Sequence, residues 1–434
     1  MRRHHGKRGS DRRQEERAAT TTVDPAVQAA ALRFFPDLTS ITPVGSRRHL
    51  ARVEAPSGIW CVRRWPADTP HERITFVHRL EAVSRAEGCA FVPVPAVLPE
   101  TGAAELLLDG AWFDAQSWMP GTPPARGRDI FDDRGRLIHW PAPLPAGMVP
   151  EVAGALARWH LATAKLARER AVPVARLDAI VRAVRAAWAG QRQRLRPHAA
   201  TTPHIQRWLR TSEQVMRVGT AALANTSYLR GGHRAIAHLN LWPAHLLFAT
   251  TGERHQLTGL LDFAEAAVSS PLMDLGQHLT HFGGWTVAAA EEAIGAYSSV
   301  IPLTPEERRL LPVVAGVDAI VETGRLLVLA YASGLRPESA EADALRHGAV
   351  AMLVSLENLA PAVLRGDRPV RPKTRQWERR APRAAKGAKP SRPARAGKGA
   401  SGPTRGGGPP RRASGGSRGK VGSARGRDAG QPDA

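Results

Sequence analysis

The chain has only two cysteines, Cys61 and Cys89, in 434 residues, and neither belongs to a CxxC pair. That excludes a disulfide framework, leaves structural zinc without support and suits a reducing compartment. Aromatic residues are also few, at 5% of the chain with three tyrosines. No run of about 18 predominantly apolar residues stands out, so no membrane-spanning segment is expected. The N-terminal MRRHHGKRGSDRRQEER is charged, but no apolar stretch of the kind that follows in a secretory signal comes after it. The expected location is cytoplasmic.

Acidic residues are scarce overall, 39 against 61 Lys plus Arg, for a net charge of +22. The imbalance sits at the ends. Residues 366–434 carry a net +15 and residues 1–17 a net +4, which leaves +3 on the 348 residues between them. The pI near 11.3 therefore describes the ends of the chain and not its body. Residues 366–434 contain three large apolar side chains, Val370, Trp377 and Val421, among Gly, Pro, Ala, Ser and Arg. Such a composition buries too little surface to offset its ordering entropy, so residues 366–434 read as a disordered basic tail and 1–22 as a disordered basic N-terminus. Salt-sensitive, non-specific attachment to a polyanion is the function open to the tail, although it lacks interleaved aromatics for base stacking.

The body is long enough to favour two lobes over a single core. A short helix over 24–35 precedes Ile41, Val44, Leu50 and Val53, whose spacing predicts two strands joined at Gly45-Ser46. A turn at Pro56-Ser57-Gly58 leads to a third strand, IWCVRRW, and a helix over 71–87 presents Ile74, Val77, Leu80 and Val83 on one face. VPVPAVL, AAELLLDG and AWFDAQSWM read as further short strands, closing a β-rich lobe over 23–119 at Trp118-Met119-Pro120-Gly121. Helical patterns then recur at 150–170, 176–195, 204–224, 286–299, 305–332 and 340–363, giving a helical lobe over 120–365 with one hairpin inserted at 236–263.

That hairpin carries the chemistry. Its sequence, AHLNLWPAHLLFATTGERHQLTGLLDF, puts His238, Asn240 and His245 before one strand and Asp262 at the end of the partner. A hairpin brings its ends together, so these four side chains converge. Phosphoryl transfer wants such a set: one polar group to hold an acceptor hydroxyl, and oxygen or nitrogen ligands for a divalent metal on nucleotide phosphates.

The segment resembles the catalytic core of the aminoglycoside phosphotransferase and choline kinase group, small-molecule kinases with a protein-kinase-like fold. Their loop reads roughly HGDLHPGNVL where this chain has HLNLWPAHLL, and their metal strand ends in [IV]DF or [IV]DW where this chain has GLLDF. The following Pro271-Leu272-Met273-Asp274-Leu275 and the helix ending ALARWH at His160 are similar too. The resemblance implies an α+β, protein-kinase-like two-lobe fold and a kinase using ATP or GTP with Mg²⁺ or Mn²⁺ on a small-molecule hydroxyl. It implies that Gly45-Ser46 covers the phosphates, that Arg63 stands where many members have a phosphate-binding Lys, and that either Glu72 or Glu81 pairs with it. Trp118 and Met119 fall at the hinge where an adenine would stack. Asn240 occupies the place of the catalytic aspartate, His245 that of a metal-binding asparagine, and Asp262 that of the metal aspartate, while His238 braces the loop and Asp274 braces it or caps a helix. Asparagine orients a hydroxyl but cannot take up its proton. The alternative is a pseudokinase that serves as a nucleotide-binding or regulatory module.

Overall fold

The computed structural model describes residues 22–364, less 45–46, 125–129, 132–136, 139–143, 146, 225–233, 253, 282–284 and 337. The Gly45-Ser46 turn, the tail 366–434 and all but the last residue of the N-terminal segment 1–22 lie outside the described residues. Everything described belongs to one compact unit, Met1–Val370.

Pro25 at its first turn and Asp24 as its cap, accepting from the Ala26 amide at 2.9 Å, start helix α1, Pro25–Phe34. Strands β1, Ser40–Val44, β2, Arg47–Ala55, and β3, Gly58–Arg64, follow as an antiparallel meander. After helix α2, His71–Ala86, come β4, Glu105–Leu108, and β5, Ala111–Ser117. The sheet order is β1-β2-β3-β5-β4, so the chain returns from α2 to lay β5 beside β3. VPVPAVL, expected as a strand, makes a single bridge from Pro95 to Gln116. Pro93 and Pro95 have no amide hydrogen to give a ladder, which stops the pairing there.

The two faces of this sheet have different fates. Ala51, Val53, Val62, Phe113 and Ala115 are buried under α1 with Val27 and Phe34. On the other side, Ile74, Val77 and Leu80 of α2 belong to the core that runs on through the helical lobe. The β-rich lobe is thus keyed into the helical one. The Trp159 indole N–H donates to Ser84 Oγ at 3.0 Å, and the Leu260 amide donates to the Phe91 carbonyl at 2.7 Å.

Past the crossing, the short pair β6, Ile130–Phe131, and β7, Leu137–Ile138, precedes helix α3, Met148–Ala162, then α4, Leu177–Leu195, and α5, Pro203–Ala224. The hairpin is β9, Leu246–Thr251, with β10, Arg254–Leu260, and it is flanked by β8, Ala235–Ala237, pairing with β11, Ala267–Ser269. Helices α6, Leu272–His281, α7, Val287–Ser298, α8, Pro305–Ala332, and α9, Ala340–Leu364, complete the lobe. A capping box starts α8: Thr304 accepts from the Glu307 amide, and Glu307 accepts in return from the Thr304 amide. The expectation that no stretch is long and apolar enough to span a membrane needs correction at Ala342–Leu364, within which an 18-residue window has a mean hydropathy of 1.3. This helix places Leu345, Ala349, Met352, Leu353, Leu356 and Leu359 in the core among α5, α6 and α8.

Candidate active site

The loop 238–245 is suspended between β8 and β9, and its backbone is held by side chains from one helix. Asp274, fully buried, accepts from the His238 amide at 2.7 Å and the Leu239 amide at 2.9 Å. His160 meets the same carboxylate through Nε2 at 3.0 Å. One turn along α6, Gln277 accepts from the Leu241 amide at 3.1 Å, and His281 Nδ1 reaches the Leu241 carbonyl at 3.1 Å. Asp318 of α8 lies behind both, 3.1 Å from Gln277 Nε2 and 3.0 Å from His281 Nε2. Burial would lower the pKa of His281, but the Asp318 carboxylate outweighs it and raises that pKa. Asp274 therefore braces the loop, and the spacing 274, 277, 281 follows one face of a helix. Gln277, His281 and Asp318 were not singled out in the sequence, although D-x-x-Q-x-x-x-H after the hairpin carries that helical spacing.

Inside this frame the expected residues meet. Asn240 Nδ2 donates to Asp262 Oδ2 at 3.1 Å, and His245 Nε2 lies 3.4 Å from the same oxygen. His245 Nδ1 faces the Asn240 backbone carbonyl at 2.7 Å; a carbonyl only accepts, so Nδ1 carries the hydrogen. His238 Nε2 likewise donates to the Leu261 carbonyl at 2.9 Å while its Nδ1 accepts from the Asn240 amide at 3.3 Å, and burial lowers its pKa. His238 is sealed from solvent, and its ring nitrogens bond only backbone groups, the Leu261 carbonyl and the Asn240 amide, so it positions the loop. Leu239 and Asp262 both have left-handed backbones, at φ 62° and 64°, a conformation that is costly for side-chain-bearing residues and concentrates at functional sites.

Arg63 approaches Asp262 from the sheet. The two charges interact: burial alone would raise the pKa of Asp262, but His245 and Arg63 outweigh it and hold the carboxyl below its ordinary value. Arg63 lies on the face of β3 opposite Arg64, which turns to Asp24 at 3.6 Å. Its acid partner is neither of the expected helix glutamates. Arg63 Nη2 and Nε donate to the two oxygens of Asp114 at 2.6 and 3.1 Å, because β3 and β5 pair Arg63 directly with Asp114. Glu72 is exposed. Glu81 is buried, accepts from Gln116 Nε2 at 2.6 Å, and burial pushes its pKa well above the carboxylate range. Asp114 also meets His78 at 3.0 Å, and despite burial Arg63 draws its pKa down to about 2.

The crossing Trp118–Thr122 links β3 to the hairpin. Trp118 is 38% exposed, donates its amide to the Ile59 carbonyl at 2.9 Å and lies 5.6 Å from the Arg52 guanidinium, while Met119 is buried. Thr122 exchanges backbone hydrogen bonds of 3.0 and 2.9 Å with Phe248, docking the crossing on the hairpin. Gly121 has φ +104°, and a Cβ there would lie 2.8 Å from the Phe248 carbonyl oxygen.

The family model for the phosphotransferase enzyme family (APH) matches residues 40–312, well over half of the chain, and the protein belongs to that family. A solved aminoglycoside phosphotransferase from Alicyclobacillus acidocaldarius subsp. acidocaldarius DSM 446 is similar with a TM-score of 0.57 at 15% identity, covering 79% of this chain and 96% of that one. A microcompartment-associated aminopropanol kinase gives a TM-score of 0.54 at 14% identity, covering 79% of this chain and all of that one. These structures share the protein-kinase-like fold. A homoserine kinase from Polaromonas naphthalenivorans (strain CJ2) is 30% identical over 122 residues, 26% of this chain, which thus spans 37% of that relative's length.

Proposed function

We propose that the protein transfers the γ-phosphoryl group of ATP or GTP to a hydroxyl of a small molecule, with Asn240 orienting the acceptor. The observation that carries this is the meeting of Asn240, His245 and Asp262 on one carboxylate oxygen, opposite a basic side chain from the sheet. Asn240 gives its N–H to Asp262, which leaves its amide oxygen to accept from the acceptor hydroxyl. The acceptor oxygen forms a bond to the γ-phosphorus as the bond to the bridging oxygen breaks, and the nucleoside diphosphate leaves. No carboxylate takes the hydroxyl proton, so it passes to the transferred phosphate or to water. Such a loose transition state depends mostly on positioning and charge, so the missing base slows the step by about 10²–10⁴-fold without preventing it.

His245 and Asp262 are the residues that would hold a divalent metal, and Mg²⁺ or Mn²⁺ there would neutralise charge on the phosphates. Arg63 would bind the phosphates bidentately, and the exposed face of Trp118 at the crossing would stack the base. The second reading, a nucleotide-binding or regulatory pseudokinase, is favoured by one observation: the residue in the base position is an amide already engaged with Asp262.

The test is a screen of the full chain with ATP or GTP, Mg²⁺ or Mn²⁺ and hydroxyl acceptors, beginning with homoserine, which the curated relative's name supplies. Diphosphate release matched by phosphorylated acceptor is expected. A metal-dependent rise in melting temperature with no turnover on any acceptor would favour the pseudokinase.

A further inference from the structure

Asp262 and His245 present an unusual pair of atoms to each other. With Nδ1 giving its hydrogen to the Asn240 carbonyl, Nε2 is the His245 ring atom turned toward Asp262 Oδ2, 3.4 Å away. A divalent ion seated between them would take the Nε2 lone pair and the carboxylate oxygen as ligands, in the place that a proton on Nε2 otherwise fills. Metal bonds of about 2.1 Å meeting near a right angle span about 3 Å, so the pair fits one ion after small side-chain adjustment. Both side chains are reachable, with exposures of 18% for His245 and 37% for Asp262. Among the described residues no group of three His, Cys, Asp or Glu side chains could hold an ion unaided. An ion held here draws its other ligands from phosphate oxygens and water.

We infer that this site selects a first-row transition ion, Mn²⁺ or Co²⁺, over Mg²⁺ when it binds a nucleotide. The inference rests on the nucleotide site proposed above and deepens it. Magnesium favours oxygen ligands and parts with water reluctantly, whereas an imidazole nitrogen ranks divalent ions along the series that climbs from Mn²⁺ to Co²⁺. The hydrogen bond to the Asn240 carbonyl fixes the tautomer and aims the ring, as the outer partner of a ligating histidine does. Asparagine at this position would offer an amide oxygen and lose that ranking.

The experiment is calorimetric titration of the full chain with ADP and, in parallel, GDP, each with Mg²⁺, Mn²⁺ or Co²⁺ or no metal, in the wild type and in His245→Asn. Pulsed electron paramagnetic resonance of the Mn²⁺–diphosphate complex reads ¹⁴N coupling directly. The wild type should bind the Mn²⁺ and Co²⁺ complexes at least about tenfold more tightly than the Mg²⁺ complex and show the nitrogen coupling. In His245→Asn the preference should shrink toward unity and the coupling disappear. Equal affinity for the three ions in the wild type, or a preference that survives in His245→Asn, overturns the inference while leaving the nucleotide site intact. Equal binding with and without metal removes the metal from the site, and no binding of either diphosphate removes the nucleotide; either result overturns the inference together with the function it rests on.

Discussion

Arg63 and Asp114 show how one cross-strand pair can replace a helix-to-sheet contact. The family resemblance implies a helix glutamate as the partner of the basic residue on β3; here Asp114, on the neighbouring strand, pairs with Arg63 through two hydrogen bonds. The position of Arg63 then depends first on sheet register, and on α2 only through His78, which meets the same Asp114 carboxylate. Asp114→Asn should leave a buried guanidinium without its counter-charge, a loss of roughly 3–5 kcal/mol, and weaken nucleotide binding. Glu81→Gln should change less, because burial already works against the Glu81 charge and the amide keeps an oxygen for Gln116. Melting curves and nucleotide titrations of both variants check this; a larger loss in Glu81→Gln would restore the helix as the anchor. Asp114 was not legible in the sequence. Residues 63 and 114 meet only through the β3–β5 pairing, which no spacing in the chain announces. Asn240, His245 and Asp262 were legible because a hairpin joins them locally.

At the scale of elements, the long helices and the hairpin followed from apolar periodicity, and the errors came where periodicity is too short to read. Strands β8 and β11 span three residues each, below any pattern, yet their pairing brackets the segment that holds loop 238–245, the hairpin and Asp262. VPVPAVL has the apolar content of a strand but not the amide donors. Helix α6 does double service: Asp274, Gln277 and His281 face the loop, while His278 faces α3 and meets the Val149 carbonyl at 2.8 Å. Burial pushes the pKa of His278 down to about 4 from 6.5. Between those values the unfolded chain binds the proton that the folded chain refuses, so stability is full above pH 6.5 and falls as pH drops toward 4. Denaturant melts across that range should show the loss, and His278→Gln should flatten it. A slope unchanged in His278→Gln would mean that other groups carry it.

Across the whole molecule, the nearly neutral body and the basic ends divide the chain by charge, and the body divides again into a sheet and a helical lobe that share a core through α2. Arg63 from the sheet and Asp262 from the helical lobe are near enough for their charges to interact. Everything in the account turns on the loop 238–245 being a phosphotransfer loop from which the base has been removed. The most direct measurement is turnover of the full chain against Asn240→Asp, with ATP or GTP and Mg²⁺ or Mn²⁺. The substitution sets a second carboxylate about 3.1 Å from Asp262 Oδ2, a repulsion that a bound divalent ion would relieve. The predicted result is a rise in kcat of roughly ten- to a hundredfold, seen only with metal present. A fall in kcat with metal bound would contradict the account, because the site would then have been built around the amide and not around a lost carboxylate.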